Sequence, residues 1–351
     1  MRGHSELSLN KPRTPIILLA VSILGVGHMA LAQVASPRDP SPFQAVSARS
    51  LRANLKFLSS DELKGRDTPS EGLDIAAAWI ASQFEQFGLE PANKRSFYQL
   101  ATFREKPVRN VVGLLRGSDP KLRDTYIIVS AHYDHLGVRE GEGDVIFNGA
   151  NDDGSGVVSM LELAKCFSQM KSPPKRSILF MAFWGEEKGL LGSTYYGKNP
   201  LFPLKGTVGQ INIEQVGRTD DTDGPQISRF AVTGYEFSDL TKSIEEGGKA
   251  AGVSVDKTPQ GDMYFMASDN AALARFGIPA HTISVAYEFP DYHRVGDHWD
   301  KIDYDNLAKI TKAIGVSTNI LANAEKAPRW NPDNPKVKRY LDAWKKLQEG
   351  G

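Results

Sequence analysis

Two adjacent glutamates, Glu186 and Glu187, come after residues 177–184, a run ("SILFMAFW") with the apolar composition of a buried strand. A buried carboxylate is costly unless it is paired or binds a metal ion. A solvated surface turn would also explain the two acids, so the interpretation depends on the residues at the ends of the other strands. Because neighbouring side chains of an extended segment point to opposite sides, one glutamate can bind a metal ion while the other acts as general base toward water.

Side chains of metal-ligand type also come after three other predicted strands. The run "TYIIVSA" leads into His132 and Asp134, "VGQINI" leads into Glu214, and "AHTISV" leads into a loop that contains His293. A glycine-rich turn, "GANDDGSG", carries Asp152. Ligands of open α/β sheets bind beyond the carboxyl ends of the strands. Histidine and carboxylate side chains without cysteine are typical of a catalytic rather than a structural Zn²⁺ site.

The order of the predicted elements indicates the fold class. Apolar strands alternate with amphipathic helices, which predicts an α/β protein: a three-layer α/β/α sandwich with a largely parallel central mixed sheet and a single catalytic domain. Strands as continuously apolar as residues 125–131 and 177–184 fit burial on both faces of the sheet. The predicted helices lie near 46–58, 73–88, 157–170, 236–251 and 304–326.

The first 32 residues have the pattern of an export signal. A basic segment precedes the apolar run "PIILLAVSILGVG", and "ALA" at residues 30–32 fits a cleavage site. The apolar run is shorter than the roughly 20 residues of a membrane-spanning helix. We therefore expect cleavage after residue 32, no stable membrane insertion afterwards and a periplasmic or extracellular location. The alternative is an uncleaved anchor.

Composition bounds the remaining chain. We expect a linker over 33–44, the catalytic domain over 45–327 and a charged tail over 328–351 that forms a surface helix. The chain has 42 basic and 42 acidic residues, so no basic excess indicates a nucleic-acid partner. Its single cysteine, Cys166, excludes an internal disulfide and is expected to be a small buried hydrophobe.

Six sequence blocks together resemble the M28 family of zinc aminopeptidases, over about residues 46–326. They are "SAHYDHLG", "FNGANDDGSGVVSMLELA", "FMAFWGEEKGLLGS", "INIEQVGR", "SDNAALARFGIPA" and "DYHRVGDHWDKID". The resemblance implies two Zn²⁺ per chain and a role for each matching residue. The implied metal ligands are His132, Asp152 (bridging both ions), Glu187, Glu214 and His293, with Glu186 as general base and Asp134 as the acid that orients His132.

The sequence departs from the family pattern at some positions. Glu214 stands where the family usually has aspartate, and Asn270 stands where it commonly has histidine. The longer Glu214 side chain can still bind metal, but Asn270 has no expected ligand role. Tyr264 could help to stabilise the oxyanion, with ordinary packing as the alternative. His135 is expected to be a loop or pocket histidine rather than a ligand, and His298 is expected to be a pocket or rim residue.

The resemblance implies an exported metallopeptidase that acts on peptides. It would remove N-terminal residues by metal-activated hydroxide, with a glutamate as general base. Two alternatives remain open at this point: a glutaminyl cyclase-like acyltransferase, which would use one zinc on the same fold, and a non-catalytic zinc-binding relative.

Overall fold

A nine-stranded sheet forms the centre of the structure, a computed structural model that describes residues 36–222 and 224–349. The segment predicted to be an export signal, 1–32, lies outside the described residues. In chain order, the strands of the whole structure are β1 (Glu90–Pro91), β2 (Tyr98–Phe103), β3 (Lys106–Leu115), β4 (Tyr126–His132), β5 (Gly137–Val138), β6 (Ile146–Phe147), β7 (Ser177–Phe183), β8 (Thr207–Ile213), β9 (Asp220–Asp221), β10 (Gly224–Pro225), β11 (Arg229–Val232), β12 (Ser254–Asp256) and β13 (Ala280–Ser284).

The sheet is parallel at its centre and mixed toward its edges. Its order is β1-β3-β7-β4-β8-β13-β11-β12, with β2 also paired to β3, while β5–β6 and β9–β10 form separate small ribbons. Strand β4 pairs in parallel with β7 and β8, and β13 pairs in parallel with β8. Antiparallel pairing begins on either side, where β3 meets β7 and β11 meets β13. The predicted α/β sandwich with a parallel centre in a mixed sheet is confirmed.

Helices cover both faces of this sheet. They are α1 (Ala48–Leu58), α2 (Glu71–Gln86), α3 (Gly156–Ser168), α4 (Leu191–Lys198), α5 (Leu240–Ala250), α6 (Asn270–Arg275), α7 (Tyr304–Asn323) and α8 (Lys338–Glu349). Side-chain alternation along the strands produces one hydrophobic core on each face. In β7, Phe180 belongs to the core formed with α1, α2, α3, α5 and α7, whereas Met181 belongs to the core on the side of α4, α6 and α8.

Side-chain caps explain where three of the helices begin. Ser47 accepts a hydrogen bond from the backbone N–H of Ser50, so α1 starts at residue 48 rather than at the predicted 46. Ser70 caps α2 in the same way, and the carboxylate of Asp303 caps α7. These caps satisfy amide groups that have no partner within the helix.

The C-terminal segment is anchored on the second core. Helix α8 buries Tyr340, whose ring stacks on Trp330 with 5.0 Å between ring centroids. The indole N–H of Trp330 donates a 2.8 Å hydrogen bond to the carbonyl of Gly277. Within the residues that the structure describes, no helix has both the length and the hydrophobicity needed to cross a membrane.

Candidate metal centre

The predicted ligand-type side chains meet at one edge of the sheet. His132 is the last residue of β4, Glu186 and Glu187 come after β7, and Glu214 comes after β8. His293 lies in the loop after β13. Since β4, β7, β8 and β13 are parallel neighbours, their carboxyl ends bring residues that are distant in sequence to the same place.

Asp152 lies between two histidines. Its Oδ1 is 3.2 Å from Nε2 of His132, and its Oδ2 is 3.2 Å from Nε2 of His293. The same nitrogen of His293 is 3.3 Å from Oε2 of Glu187. Two atoms bound to one tetrahedral zinc at about 2.0 to 2.1 Å lie about 3.3 Å apart. The distances around Asp152 therefore fit side chains that could bind zinc.

Two groups of possible ligands share Asp152. In one group, atoms of His132, Asp152 and Glu214 lie within 4.8 Å of one another, and in the other the same holds for His135, Asp152 and Glu187. Several of these atoms are buried yet have no hydrogen-bond partner among the described residues, including Nε2 of His132, Oε1 of Glu187 and Oε2 of Glu214. Buried polar atoms are normally satisfied, so these residues fit a bound metal ion.

The electrostatics of the cluster also favour a cation. Burial raises the pKa of Glu214 to about 7 and that of Glu186 well above its usual range. Burial and the neighbouring Asp152 also act to raise the pKa of Glu187, but contacts with His135 and His293 outweigh them and bring it to about 2. Grouping so many buried carboxylates is costly without compensating positive charge, which a divalent ion supplies.

Two further aspartates hold the Asp152 turn, Ala150–Ser155, in place. The carboxylate of Asp297 accepts hydrogen bonds from the backbone N–H groups of Asn151 and Asp152. The carboxylate of Asp153 accepts hydrogen bonds from three backbone N–H groups, those of His132, Gly156 and Gln215. Asp153 therefore connects the end of β4 with the start of α3 and the loop after β8. The two adjacent acids in "NDDG" indicated a site. They did not indicate that Asp152 would face the histidines while Asp153 binds backbone N–H groups.

Arg66 is a buried residue of the site region that sequence reasoning missed. Its guanidinium donates hydrogen bonds to four backbone carbonyls, those of Leu58, Tyr133, Asn148 and Gly149, at 2.6 to 2.9 Å. These contacts join the segment after β4 to the segment before the Asp152 turn. Burial lowers the pKa of Arg66 to about 10, although four nearby aspartates oppose that effect. Arg66 thus places a fixed positive charge behind the acidic cluster.

His135, expected to be a loop or pocket histidine rather than a ligand, lies within the cluster. Its side chain is fully buried, and its Nδ1 is 2.7 Å from Oε1 of Glu187 and 3.9 Å from Oδ2 of Asp152. The "HYDH" spacing was the only sequence signal for it.

Asp134 lies behind His132, as the resemblance implies. Its Oδ1 is 3.6 Å from Nδ1 of His132, while its own backbone carbonyl is closer to that nitrogen, at 3.2 Å. The carboxylate also accepts hydrogen bonds from the backbone N–H of Glu186 and from the hydroxyl of Thr68. Asp134 therefore positions both His132 and the backbone of Glu186.

A cavity of about 430 Å³ opens onto the cluster. Besides the ligand-type residues, Leu190, Met266, Arg275 and Tyr292 contribute to its lining, and Tyr292 stacks on His293 with 4.0 Å between ring centroids. Tyr264 does not line this cavity. It stacks on Tyr287, and its hydroxyl donates to Glu288 beside a separate cavity of about 610 Å³.

Asn270 and His298 lie away from the ligand cluster. The amide of Asn270 donates to the carbonyl of Phe265 and accepts from the hydroxyl of Thr282, so Asn270 connects α6 with β13. His298 is partly exposed, and its Nε2 is 3.0 Å from a carboxylate oxygen of Asp144. Neither residue belongs to the two groups of possible metal ligands found among the described residues.

Fold and site together define an α/β protein with a buried histidine–carboxylate cluster that could hold a metal ion. The chain belongs to peptidase family M28, whose family model matches residues 110–317, more than half of the chain. A probable zinc metalloprotease of Pyrenophora tritici-repentis is 28% identical over 267 residues, which cover 71% of this chain and 58% of the relative. Aminopeptidase YwaD of Bacillus subtilis is 35% identical over 251 residues, 67% of this chain and 50% of the relative. The chain thus spans between half and three fifths of the length of these relatives.

Solved structures show the same fold. The Legionella pneumophila LapA aminopeptidase superposes with a TM-score of 0.63 at 22% identity, covering 82% of this chain and 75% of that chain. Porphyromonas gingivalis glutaminyl cyclase superposes with a TM-score of 0.62 at 19% identity, covering 78% of this chain and 97% of that chain. Fold similarity of this degree does not separate peptide hydrolysis from cyclisation.

Proposed function

We propose that the protein is an exported aminopeptidase that binds two Zn²⁺ and hydrolyses the N-terminal peptide bond of peptides. The observation that carries this proposal is the position of Asp152. Its two carboxylate oxygens face two different imidazoles, and a further acid, Glu214 or Glu187, lies with each oxygen's group. One group would be His132, Asp152 and Glu214, and the other Asp152, Glu187 and His293.

Zinc bound at such a centre polarises a carbonyl group and makes water more acidic. Glu186 is the residue that fits a general base beside it. Its carboxylate belongs to neither ligand group, its Oε2 is 3.9 Å from Nε2 of His132, and it lines the cavity. Burial raises the pKa of Glu186, which makes its carboxylate a stronger base toward water. In this role Glu186 takes a proton from water and passes it to the departing amine.

The backbone of Glu186 is fixed independently of its side chain. Its N–H donates a hydrogen bond to the carboxylate of Asp134. The chain also turns sharply at Gly185, where φ is +67°. Together these two features fix the backbone from which the Glu186 side chain extends. Asp134 in turn lies against His132. The base and a ligand of the metal centre are therefore positioned by the same buried acid.

Substrate binding would occur in the cavity of about 430 Å³. Its size suits part of a peptide rather than a folded protein, and Leu190 and Met266 supply apolar surface for a side chain. Cleavage at the N-terminal end of the peptide is supported by a relative that is called an aminopeptidase.

A panel of matched peptides tests this function. Purified zinc-loaded protein should cleave a peptide with a free N-terminus and leave its N-acetylated counterpart intact, as measured by mass spectrometry. Cleavage only of the blocked peptide, or release of residues from the C-terminus, would contradict the aminopeptidase proposal.

Glutaminyl cyclase activity is the second candidate, because the fold resembles that of the Porphyromonas gingivalis enzyme. A peptide that begins with glutamine separates the two reactions. Hydrolysis adds water to give two products, whereas cyclisation releases ammonia and leaves one peptide.

Export is supported by the pattern of residues 1–32. N-terminal sequencing of protein recovered outside the cytoplasm should find a chain that begins at or near Gln33. A retained Met1 on cytoplasmic protein would contradict export.

A further inference from the structure

The imidazole of His135 is buried beside the candidate metal centre. Its side chain has no exposed surface, and neither Nδ1 nor Nε2 has a hydrogen-bond partner among the residues that the structure describes. Neutral imidazole carries one donor and one acceptor, and leaving both unsatisfied in the interior is costly. A fully buried histidine therefore requires another group to satisfy it.

The atoms around His135 converge without hydrogen bonding to each other. Nδ1 of His135 is 2.7 Å from Oε1 of Glu187, yet the contact does not have hydrogen-bond geometry, and both atoms remain unsatisfied within the described part of the chain. Together with Asp152, the two residues supply ligand atoms within 4.8 Å of one another. Nitrogen and oxygen lone pairs that face a common point are arranged to bind one cation.

The backbone positions the imidazole ring of His135. The N–H of His135 donates to the carbonyl of Arg66, and a Cβ at Gly149 would lie only 2.5 Å from Cγ of His135. Gly149 also has a φ of +57°, so both its conformation and the space beside it favour glycine. The ring packs edge-on to His293, with 5.9 Å between centroids. Two imidazoles thus contact Glu187, each at a different carboxylate oxygen.

We propose that His135 is an additional ligand of the ion assigned to Asp152, Glu187 and His293, an inference that rests on the proposed two-zinc function. That ion would then have four protein ligands, whereas the ion at His132, Asp152 and Glu214 would have three. Zinc with four protein ligands is typical of closed sites, while three protein ligands leave a position open. The two ions would therefore differ in affinity, and the more open ion would be the one available to substrate.

X-ray absorption spectroscopy of the two-zinc protein tests this assignment directly. With His135 as a ligand, three imidazoles are shared by two ions, whereas His132 and His293 alone provide two. The His135→Asn variant should lose one imidazole from the zinc spectrum. It should also bind one of its two ions more weakly in competition with a chelator, by more than the roughly 10- to 100-fold typical of losing a residue that only supports a ligand. If His135 only positioned Glu187 by hydrogen bonding, the imidazole content would be the same in both proteins.

His281→Asn is the matched control. His281 is also fully buried, but both its ring nitrogens have partners, the hydroxyl of Ser238 and the carbonyl of Thr233. This variant should keep the wild-type imidazole content and zinc affinity, even if it is less stable.

A second variant keeps the test decisive if His135→Asn does not fold. In His135→Cys, the shorter reach of the sulfur is partly offset by the longer zinc–sulfur bond of about 2.3 Å. Its cobalt-substituted form should show a thiolate-to-cobalt charge-transfer band that wild-type protein lacks. Absence of that band in folded, cobalt-loaded protein would overturn the inference.

Wild-type protein that binds two zinc ions with only two imidazoles would overturn this inference alone, whereas protein that binds no zinc would overturn the proposed function.

Discussion

Glu186 and Glu187 are adjacent in sequence, but their carboxylates face different partners. Oε2 of Glu186 lies 3.9 Å from Nε2 of His132, whereas the two oxygens of Glu187 contact His135 at 2.7 Å and His293 at 3.3 Å. Both side chains are largely buried, at 10% and 5% exposure. The two glutamates therefore contact different histidines of the cluster, so two neighbouring residues can serve two different functions.

Substitution of Asp152 should affect both metal ions. Because its two oxygens face His132 and His293 separately, Asp152→Asn removes negative charge from both ligand groups, and we expect fewer than two zinc ions per chain with weakened binding of both. His293→Ala should chiefly empty one site. Zinc analysis after dialysis against a weak chelator distinguishes the two patterns. Full occupancy in Asp152→Asn would argue against a shared ligand.

Substitution of Arg66 should destabilise the fold as well as the site. Arg66→Lys cannot reproduce hydrogen bonds to four separate carbonyls, so we expect the free energy of unfolding to fall by about 2 to 4 kcal/mol. Urea denaturation measures this change. The control is Arg116→Lys, at an exposed pair with Glu90, where the change should stay within about 0.5 kcal/mol. Equal effects of both substitutions would contradict the proposed role of Arg66.

His281 should make the protein less stable in acid. Burial lowers its pKa to about 4, so the unfolded chain takes up a proton below about pH 6.5 that the folded protein does not bind. This contribution to stability is complete above about pH 6.5 and is lost as the pH falls toward 4, by about 3 kcal/mol.

The His281→Gln variant isolates this effect from other titrating groups. Glutamine can donate to the carbonyl of Thr233 and accept from Ser238 without taking up a proton. Urea unfolding of both proteins near pH 7 and near pH 4 should show a smaller acid loss in the variant, by about 3 kcal/mol. Identical pH dependence would show that His281 does not titrate in this way.

Local sequence patterns predicted the centre of the fold and most of the converging residues. Strands β4 and β7 were recognisable because they are buried on both faces and are therefore apolar throughout. Once they were placed, the polar residues at their ends identified the edge where His132, Glu186 and Glu187 meet. Strand β2 was missed, since its exposed edge position leaves it no apolar run and its pairing with β3 depends on tertiary contact.

The remaining site residues depend on contacts between segments that are distant in sequence. Arg66 lies in "SSDELKGRDTPSEG", a stretch that resembles a solvated loop, but it is buried and bonded to carbonyls of the end of α1 and of two other segments. His135 and Asp297 are similar cases, because their partners lie in other segments of the chain. Tyr264 is the opposite case. Its position in the sequence suggested a role in the site, but its ring stacks on Tyr287 and does not line the cavity at the cluster.

Paired glutamine variants test most directly whether Glu186 transfers protons and Glu187 binds metal. Glu186→Gln keeps nearly the same shape but cannot accept a proton, so kcat should fall by about 10²- to 10⁴-fold while zinc content stays at the wild-type level. Glu187→Gln should instead lose zinc, and excess zinc should restore part of its activity. The measurement is zinc per chain together with kcat for both variants. Loss of zinc from Glu186→Gln with retention in Glu187→Gln would contradict the assignment.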